Sequence, residues 1–185
     1  MSKTAAQFEA QMKVCRDIFY KKTNDYGTAW RILRPSSLTD QIFIKANRIR
    51  SIQEKGIQKI EEDIRDEFIA IINYSVMALI QLYHKPNGSD EDMKMPLNMV
   101  MEYYDKYLTA ARDLMFAKNH DYGEAWRDMR ISSLTDIILM KILRLKQIED
   151  NDGKTIISEG PEGSYNDMIN YSMFALIKMS EIIEK

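Results

Sequence analysis

The chain repeats itself once, and this repeat constrains the fold more than any other feature of the sequence. Residues 22–52 and 118–148 carry the same residue at many positions when they are aligned 96 positions apart. Both contain D-Y-G-x-A-W-R, then S-S-L-T-D, then K-x-x-R, and the later I-N-Y-S of 72–75 recurs at 169–172. Two copies are too few for a solenoid. We therefore expect a pseudo-symmetric dimer within one polypeptide.

A polar segment divides the two copies. It runs H-K-P-N-G-S-D-E-D from His84, with Pro and Gly as breakers, and a further Pro follows. We predict a first repeat over 1–83, a linker over 84–96 and a second repeat over 97–185. Each unit is too small to bury much apolar surface alone, so we expect the repeats to pack as one globule.

Apolar residues recur three and four positions apart along three segments of each copy, the spacing of one helix face. The predicted helices run over 4–22, 38–54, 59–82, 97–118, 134–150 and 163–184. Ser37 and Ser133 are the predicted N-caps of the middle helices, with Asp40 and Asp136 as capping-box partners. No segment alternates like a strand. The predicted fold class is all-α, a six-helix bundle made of two pseudo-symmetric three-helix repeats.

The motif D-Y-G-x-A-W-R follows the first helix of each copy. Its glycine is expected to end the helix, and its tryptophan to fill the core. Its aspartates, Asp25 and Asp121, either cap local backbone amides or face a binding site.

Composition excludes several classes of protein. The chain has 185 residues, a net charge of −2, 45% hydrophobic residues and one Cys. It is too apolar for a disordered chain and lacks the basic excess of a general nucleic-acid-binding protein. One Cys forms no internal disulfide. No apolar run approaches a membrane span, and the N-terminal residues lack the apolar core of a signal peptide, so we expect a cytoplasmic protein without membrane contact.

Basic residues gather around the second helix. Residues 31–50 hold five basic residues and one acidic residue. Lys45 and Arg48 lie three apart on one helix face, and Lys141 and Arg144 repeat the pair. A helix N-terminus adds positive potential, so the pattern favours an anion such as phosphate. The alternative is a solvated basic face that is paired with the acidic third helix.

Acidic and amide residues lie on the third helix. Asp63, Asp66 and Asn73 share one face, and Asp167 and Asn170 lie on the equivalent face of the second copy. The asparagines are matched, whereas Asp66 and Asp167 differ by one helical turn. Such ligands suit a hard cation. We predict Mg²⁺ at Asp63, Asp66 and Asp167, with Asp66 and Asp167 catalytic. The alternative is an acidic first turn that favours the helix dipole.

Other polar residues of the repeated motifs are predicted to bind substrate. They are Lys22, Asp25, Arg31, Arg34, Lys45, Arg48, Asn73, Lys118, Asp121, Arg127, Arg130, Lys141, Arg144 and Asn170.

These motifs resemble a known family. K-x-x-D-Y-G-x-A-W-R, S-L-x-D, K-x-x-R and, in the second copy, D-x-x-N-Y resemble the nucleotide-modification-associated domain 1 family in a tandem form. The resemblance covers nearly all of both copies and implies a role in nucleotide metabolism or modification. More distantly, the chain resembles MazG-type all-α nucleoside triphosphate pyrophosphohydrolases. That resemblance implies Mg²⁺ held by E-x-x-E and E-x-x-D pairs on adjacent helices, where the second helix here offers only Asp40 or Asp136.

Two hypotheses of function follow. The first is a protein that binds nucleotide phosphates and acts as a Mg²⁺-dependent nucleoside triphosphate pyrophosphohydrolase. The second is a non-catalytic helical module with a degenerate site, which binds a nucleotide or a partner protein. In both, the expected partner is a nucleotide or another phosphate-bearing small molecule. A purely structural role and self-association of the chain are alternatives that the sequence leaves open.

Overall fold

A computed structural model describes residues 2–56, 63–89 and 93–183. Within these ranges the chain forms six long α-helices, two short 3₁₀ helices and no strand. In the first repeat they are α1 (Lys3–Tyr26), a 3₁₀ helix (Ala29–Ile32), α2 (Pro35–Lys55) and α3 (Ile64–Tyr83). In the second they are α4 (Leu97–Tyr122), a 3₁₀ helix (Ala125–Asp128), α5 (Ile131–Asp150) and α6 (Pro161–Ile183). The predicted all-α bundle of two three-helix repeats is confirmed.

Some predicted features lie outside the described residues. These are the start of the third helix at 59, residues 90–92 of the linker and the last two residues of the chain. The first helix of each repeat runs about one turn further than predicted and ends at a glycine. Gly27 and Gly123 have φ of 65° and 61°, a backbone conformation that glycine adopts without steric cost.

The predicted N-caps of the middle helices are wrong. Helix α2 begins at Pro35 rather than after Ser37, and α5 begins at the equivalent Ile131. Proline is favoured at a first helical position because its φ is already helical and its missing N–H needs no partner there. Arg34 and Arg130 therefore occupy the N-cap position, with extended backbone and no side-chain cap hydrogen bond.

The predicted capping boxes are wrong for the same reason. Asp40 lies beyond the first turn of α2, where it is exposed and pairs with Lys146 of α5. Asp136 lies 3.8 Å from Arg50 of α2. Both aspartates thus form ion pairs between the two repeats instead of capping a helix.

Helices α3 and α6 lie against each other at the centre of the bundle. Helix α2 packs on α3, α5 packs on α6, and α2 also contacts α5, while α1 and α4 contact each other and both central helices. Central residues such as Ile72 and Ile169 are fully buried, and each such side chain stabilises the fold by about 1.5–3 kcal/mol. None of the described helices is long and apolar enough to cross a membrane.

Ion pairs between α1 and α4 show the two-fold relation of the repeats. Arg16 Nε donates to Asp105 at 2.7 Å, and the equivalent Arg112 donates to Glu9 at 2.6 Å. Asp105 stands 96 positions after Glu9, so each contact occurs twice with the partners exchanged. This exchange is the mark of an isologous, two-fold interface.

The same exchange occurs between α2 and α5. Thr39 donates to Glu149 at 2.7 Å, and the residue equivalent to Glu149, Gln53, donates to Thr135 at 3.1 Å. The Tyr165 hydroxyl also donates to Glu149, at 3.2 Å. Burial raises the pKa of Glu149 above its usual range, although the hydrogen bonds from Thr39 and Tyr165 act in the opposite direction.

Candidate functional site

Each repeat holds a pocket between its helices. The first pocket, of about 550 Å³, lies between α1, the 3₁₀ helix, α2 and α3. The second pocket, of about 360 Å³, lies between α4, the 3₁₀ helix, α5 and α6. Both volumes fall in the range of small-molecule sites. The matched lining residues are Lys22 and Lys118, Lys45 and Lys141, Asn73 and Asn170, Trp30 and Trp126, and Tyr74 and Tyr171.

The 3₁₀ helix places an indole ring in the wall of each pocket. A glycine with positive φ turns the chain, and the tryptophan of the following 3₁₀ helix lines the pocket. Trp126 is buried and stacks on Phe174 of α6 with ring centroids 4.3 Å apart. Trp30 is half-buried and lies 6.5 Å from Phe19. The residue equivalent to Phe174 is Met77, so the indole of the first pocket has no stacked ring from α3.

A carboxylate joins the two lysines of the second pocket. Asp167 of α6 lies 2.9 Å from Nζ of Lys118 on α4 and 2.6 Å from Nζ of Lys141 on α5. Asp167 is 9% exposed, so water screens this arrangement weakly. Burial disfavours the charge on Lys118, but the hydrogen bond and the charge of Asp167 hold the pKa of Lys118 above its usual value. One carboxylate therefore engages both cations of the second pocket.

The first pocket is arranged differently, because Ala70 stands where the second pocket has Asp167. Lys45 Nζ lies 3.2 Å from the buried carboxylate of Glu67, which Arg48 also binds. Among the described residues, none forms an ion pair with Lys22. Within the described ranges, Lys22 therefore presents to the first pocket an ammonium group that no carboxylate contacts, although Asp66 lines the same pocket.

The residues predicted to hold Mg²⁺ do not come together. Asp63 caps α3 by accepting the backbone N–H of Arg65 at 3.2 Å, and it does not line the first pocket. Asp66 lines that pocket from the first turn of α3, and Asp167 lies in the other pocket. In the described part of the chain, no group of three or more His, Cys, Asp or Glu residues could hold a metal ion. Asp66 is thus a lone carboxylate in its pocket, and Asp167 is already bound by two lysines. Mg²⁺ at Asp66 would take its remaining ligands from water and from the phosphates of a bound nucleotide.

The matched asparagines tie the central helices to the outer ones. Nδ2 of Asn73 donates to a backbone carbonyl of α1 at 3.3 Å, and Nδ2 of Asn170 donates to a backbone carbonyl of α4 at 3.0 Å. The Tyr104 hydroxyl donates to Oδ1 of Asn73 at 2.7 Å. Oδ1 of Asn170 is buried and accepts no hydrogen bond from the described residues. The cause lies in the sequence, because the residue equivalent to Tyr104 is Phe8.

The arginines of the D-Y-G-x-A-W-R motif lie behind the indole rings of the pocket walls. The guanidinium of Arg31 is 6.0 Å from the centroid of the Trp30 ring, and that of Arg127 is 4.4 Å from the centroid of the Trp126 ring. Arg31 is buried, donates to Gln81 of α3 at 2.7 Å, and accepts a hydrogen bond from Gln81 through its backbone carbonyl. Arg127 donates to Gln7 at 2.9 Å and to Glu181 at 3.1 Å. Neither arginine lines a pocket. Their hydrogen bonds hold each 3₁₀ helix against the long helices of the bundle.

Other predicted substrate-binding residues also lie outside the pockets. Five are exposed and line neither pocket, namely Asp25, Asp121, Arg34, Arg130 and Arg144. Arg48 is engaged with Glu67. Of the predicted binding residues, the lysines Lys22, Lys45, Lys118 and Lys141 and the two asparagines line the pockets.

Sequence reasoning missed two determinants of the site. Glu67 resembled one of several acids in an exposed first turn, yet its side chain is 2% exposed. Its position next to Phe68 and four residues before Ile71 could have placed it on the buried face. The other determinant is the aromatic wall. The predicted place of the tryptophans in the core is confirmed for Trp126, and Trp30 packs against that core, but the sequence does not show that both rings also line a pocket or that the tyrosine after each asparagine does so.

The structure defines a helical-bundle protein with two related pockets, each combining lysines with aromatic side chains. The family model described as nucleotide modification associated domain 1 matches residues 22–82 and again residues 118–179. The chain belongs to this family and carries its domain twice, as the repeated motifs predicted. Each matched segment begins at a pocket lysine and extends into a central helix. Comparison with curated proteins and with solved structures finds no match.

Proposed function

We propose that the chain binds a nucleotide in the first pocket, with its phosphates on Lys22 and Lys45 and its base against the aromatic wall. The observation that carries the proposal is the convergence of these two lysines, from α1 and α2, on one aromatic-lined pocket of about 550 Å³. A nucleotide combines an anionic group with a flat ring, and the first pocket offers a partner for each.

The lysines support phosphate binding through charge and donor capacity. The ammonium group of Lys22 has no ion pair among the described residues, so an incoming phosphate replaces water rather than a protein carboxylate. Lys45 keeps its contact with Glu67 at 3.2 Å, and its remaining N–H groups can donate to phosphate. Hydrogen bonds between ammonium and phosphate are charge-assisted and about twice as strong as neutral ones.

The aromatic wall supports binding of the base. Tyr26, Trp30 and Tyr74 line the first pocket, and Met77 leaves the Trp30 ring without a stacked neighbour from α3. Stacking of a base on an aromatic side chain stabilises binding by about 1–3 kcal/mol and tolerates every base. The wall therefore favours nucleotides over inorganic phosphate.

Mg²⁺-dependent pyrophosphohydrolysis of the bound nucleotide stays a prediction. Asp66 is the only carboxylate among the described residues that line the first pocket, so Mg²⁺ there would be held by Asp66 together with the nucleotide phosphates and water. Membership of a nucleotide-modification-associated family supports a nucleotide ligand in either case.

Isothermal titration with ATP, GTP, dCTP and dTTP, with and without Mg²⁺, tests the proposal. We expect at least one nucleotide to bind, and Lys22→Gln to weaken that binding by roughly 10- to 100-fold, the value of one charge-assisted phosphate contact. Lys13→Gln is the matched control, because Lys13 is exposed on the same helix and does not line the pocket. Release of phosphate or pyrophosphate is recorded in the same samples.

Two results would contradict the proposal. One is the absence of binding for all four nucleotides. The other is an equal loss of affinity in Lys22→Gln and Lys13→Gln. That result would show that the affinity depends on the net charge of the protein and not on a contact with Lys22. If the wild-type protein releases phosphate or pyrophosphate and Asp66→Asn does not, the protein is also a hydrolase of the nucleotide that it binds.

A further inference from the structure

We infer that Asp167 and Phe174 fill the second pocket with the chain's own anion and ring, so that the protein binds one nucleotide and not two. This inference rests on the proposed function of the first pocket. It concerns which of two related pockets accepts the ligand, and which side chains decide this.

The carboxylate of Asp167 occupies the place of an anion. Its two oxygens lie 2.9 Å from Lys118 and 2.6 Å from Lys141, the equivalents of the lysines proposed to bind phosphate. A phosphate that entered the second pocket would compete with a carboxylate that is already in contact with both cations. It would also meet the negative charge of Asp167 at close range, and that repulsion discriminates against an anionic ligand.

The ring of Phe174 occupies the place of a base. It stacks on Trp126 with centroids 4.3 Å apart and planes 5° from parallel. That face of the indole is therefore covered, whereas Met77 stands at the equivalent position of the first pocket. The difference in volume, about 360 Å³ against about 550 Å³, agrees with a partly filled second pocket.

Position 70 and its equivalent 167 thus determine whether a pocket is open to an anion. Alanine at 70 leaves Lys22 without an ion pair among the described residues, and aspartate at 167 engages both lysines of its own pocket. The lysines, asparagines, tryptophans and tyrosines of the two pockets are matched, so an exchange at position 70 or 167 should change the state of its pocket. Asp66 of the first pocket, whose equivalent is Gly163, lies one helical turn from position 70 and forms no ion pair with Lys22 among the described residues.

Titration of the full chain with the tightest-binding of ATP, GTP, dCTP and dTTP tests the inference through the number of molecules bound. We expect one per chain for the wild type and two for Asp167→Ala/Phe174→Met. We expect Ala70→Asp to weaken binding by roughly 10- to 100-fold, because the new carboxylate competes for the same lysines. If this double variant unfolds, Asp167→Asn/Phe174→Met replaces it, because asparagine keeps the volume of aspartate and removes its charge. Circular dichroism and melting curves establish that each variant is folded.

The outcomes separate this inference from the proposed function. Two molecules bound to the wild type, or unchanged binding in Ala70→Asp, would overturn the inference and leave nucleotide binding intact. A folded double variant at Asp167 and Phe174 that still binds one molecule would also overturn it. The absence of binding to every folded variant would overturn the proposed function itself.

Discussion

The buried hydroxyl of Tyr104 gives the sharpest test of how the central helices are held. It donates to Oδ1 of Asn73 at 2.7 Å, and Tyr104 is fully buried. Burial raises the pKa of Tyr104 well above its usual value, so the hydroxyl keeps its proton at neutral pH. Tyr104→Phe would leave the Asn73 oxygen buried without a donor, at a cost of about 1–3 kcal/mol. For a chain of this size that cost lowers Tm by roughly 2–12 °C.

The symmetry-related contact at Asn170 already lacks this hydroxyl group. Phe8 is the residue equivalent to Tyr104, and Asn170 is the residue equivalent to Asn73. Because phenylalanine has no hydroxyl group, Oδ1 of Asn170 accepts no hydrogen bond from the described residues. Phe8→Tyr should therefore supply the missing donor and stabilise the protein by about 0.5–1.5 kcal/mol. A loss of stability in Tyr104→Phe and a gain in Phe8→Tyr would show that the tyrosine–asparagine hydrogen bond stabilises the fold at both symmetry-related positions.

Urea unfolding followed by circular dichroism measures both variants. Tyr103→Phe is the control, because it removes a hydroxyl from the same helix where no described residue bonds to it, and it should change stability by less than about 0.5 kcal/mol. If Tyr104→Phe unfolds at the same urea concentration as Tyr103→Phe, the hydrogen bond to Asn73 does not stabilise the fold. Destabilisation by Phe8→Tyr would show that the pocket around Asn170 does not admit a hydroxyl.

Three further predictions concern single groups. Because burial raises the folded-state pKa of Glu149, the wild-type protein loses stability as pH rises through that pKa. Glu149→Gln, which introduces the residue found at the equivalent position 53, should therefore raise Tm at pH 7 but not below pH 4. An equal gain in Tm at both pH values would refute this prediction. Burial raises the pKa of Cys15 to about 12, so the thiol should react with a thiol reagent at pH 8 only after unfolding, and fast labelling of the folded chain would contradict it. Arg16→Ala and Arg112→Ala should each cost at most about 1 kcal/mol in urea unfolding, since these symmetry-related ion pairs are exposed or partly exposed, and a markedly larger cost for either would refute that assignment.

The helices were predictable because their determinants are local. Apolar spacing fixes which residues face the core, and Gly27 and Gly123 mark helix ends through a conformation that other residues avoid. The start of α2 was less predictable, because Pro35 at the first helical position and Ser37 as a cap compete within three residues. A local pattern cannot rank two such signals, and the structure favours the proline.

The site was only partly predictable because it depends on contacts between helices. The sequence indicated that Lys118, Lys141 and Asp167 matter, but it assigned them to phosphate and to a metal. Their mutual contacts at 2.9 and 2.6 Å arise only when α4, α5 and α6 converge. The same holds for Glu67, whose partners Lys45 and Arg48 lie on a neighbouring helix.

The number of nucleotides bound per chain is the most direct test of the account. Equilibrium titration of the wild-type protein should give one molecule of nucleotide per chain, and this binding should be weakened in Lys22→Gln but not in Lys13→Gln. Two molecules per chain would contradict the closure of the second pocket by Asp167. No bound nucleotide, or one whose affinity does not depend on Lys22, would contradict the assignment of the first pocket.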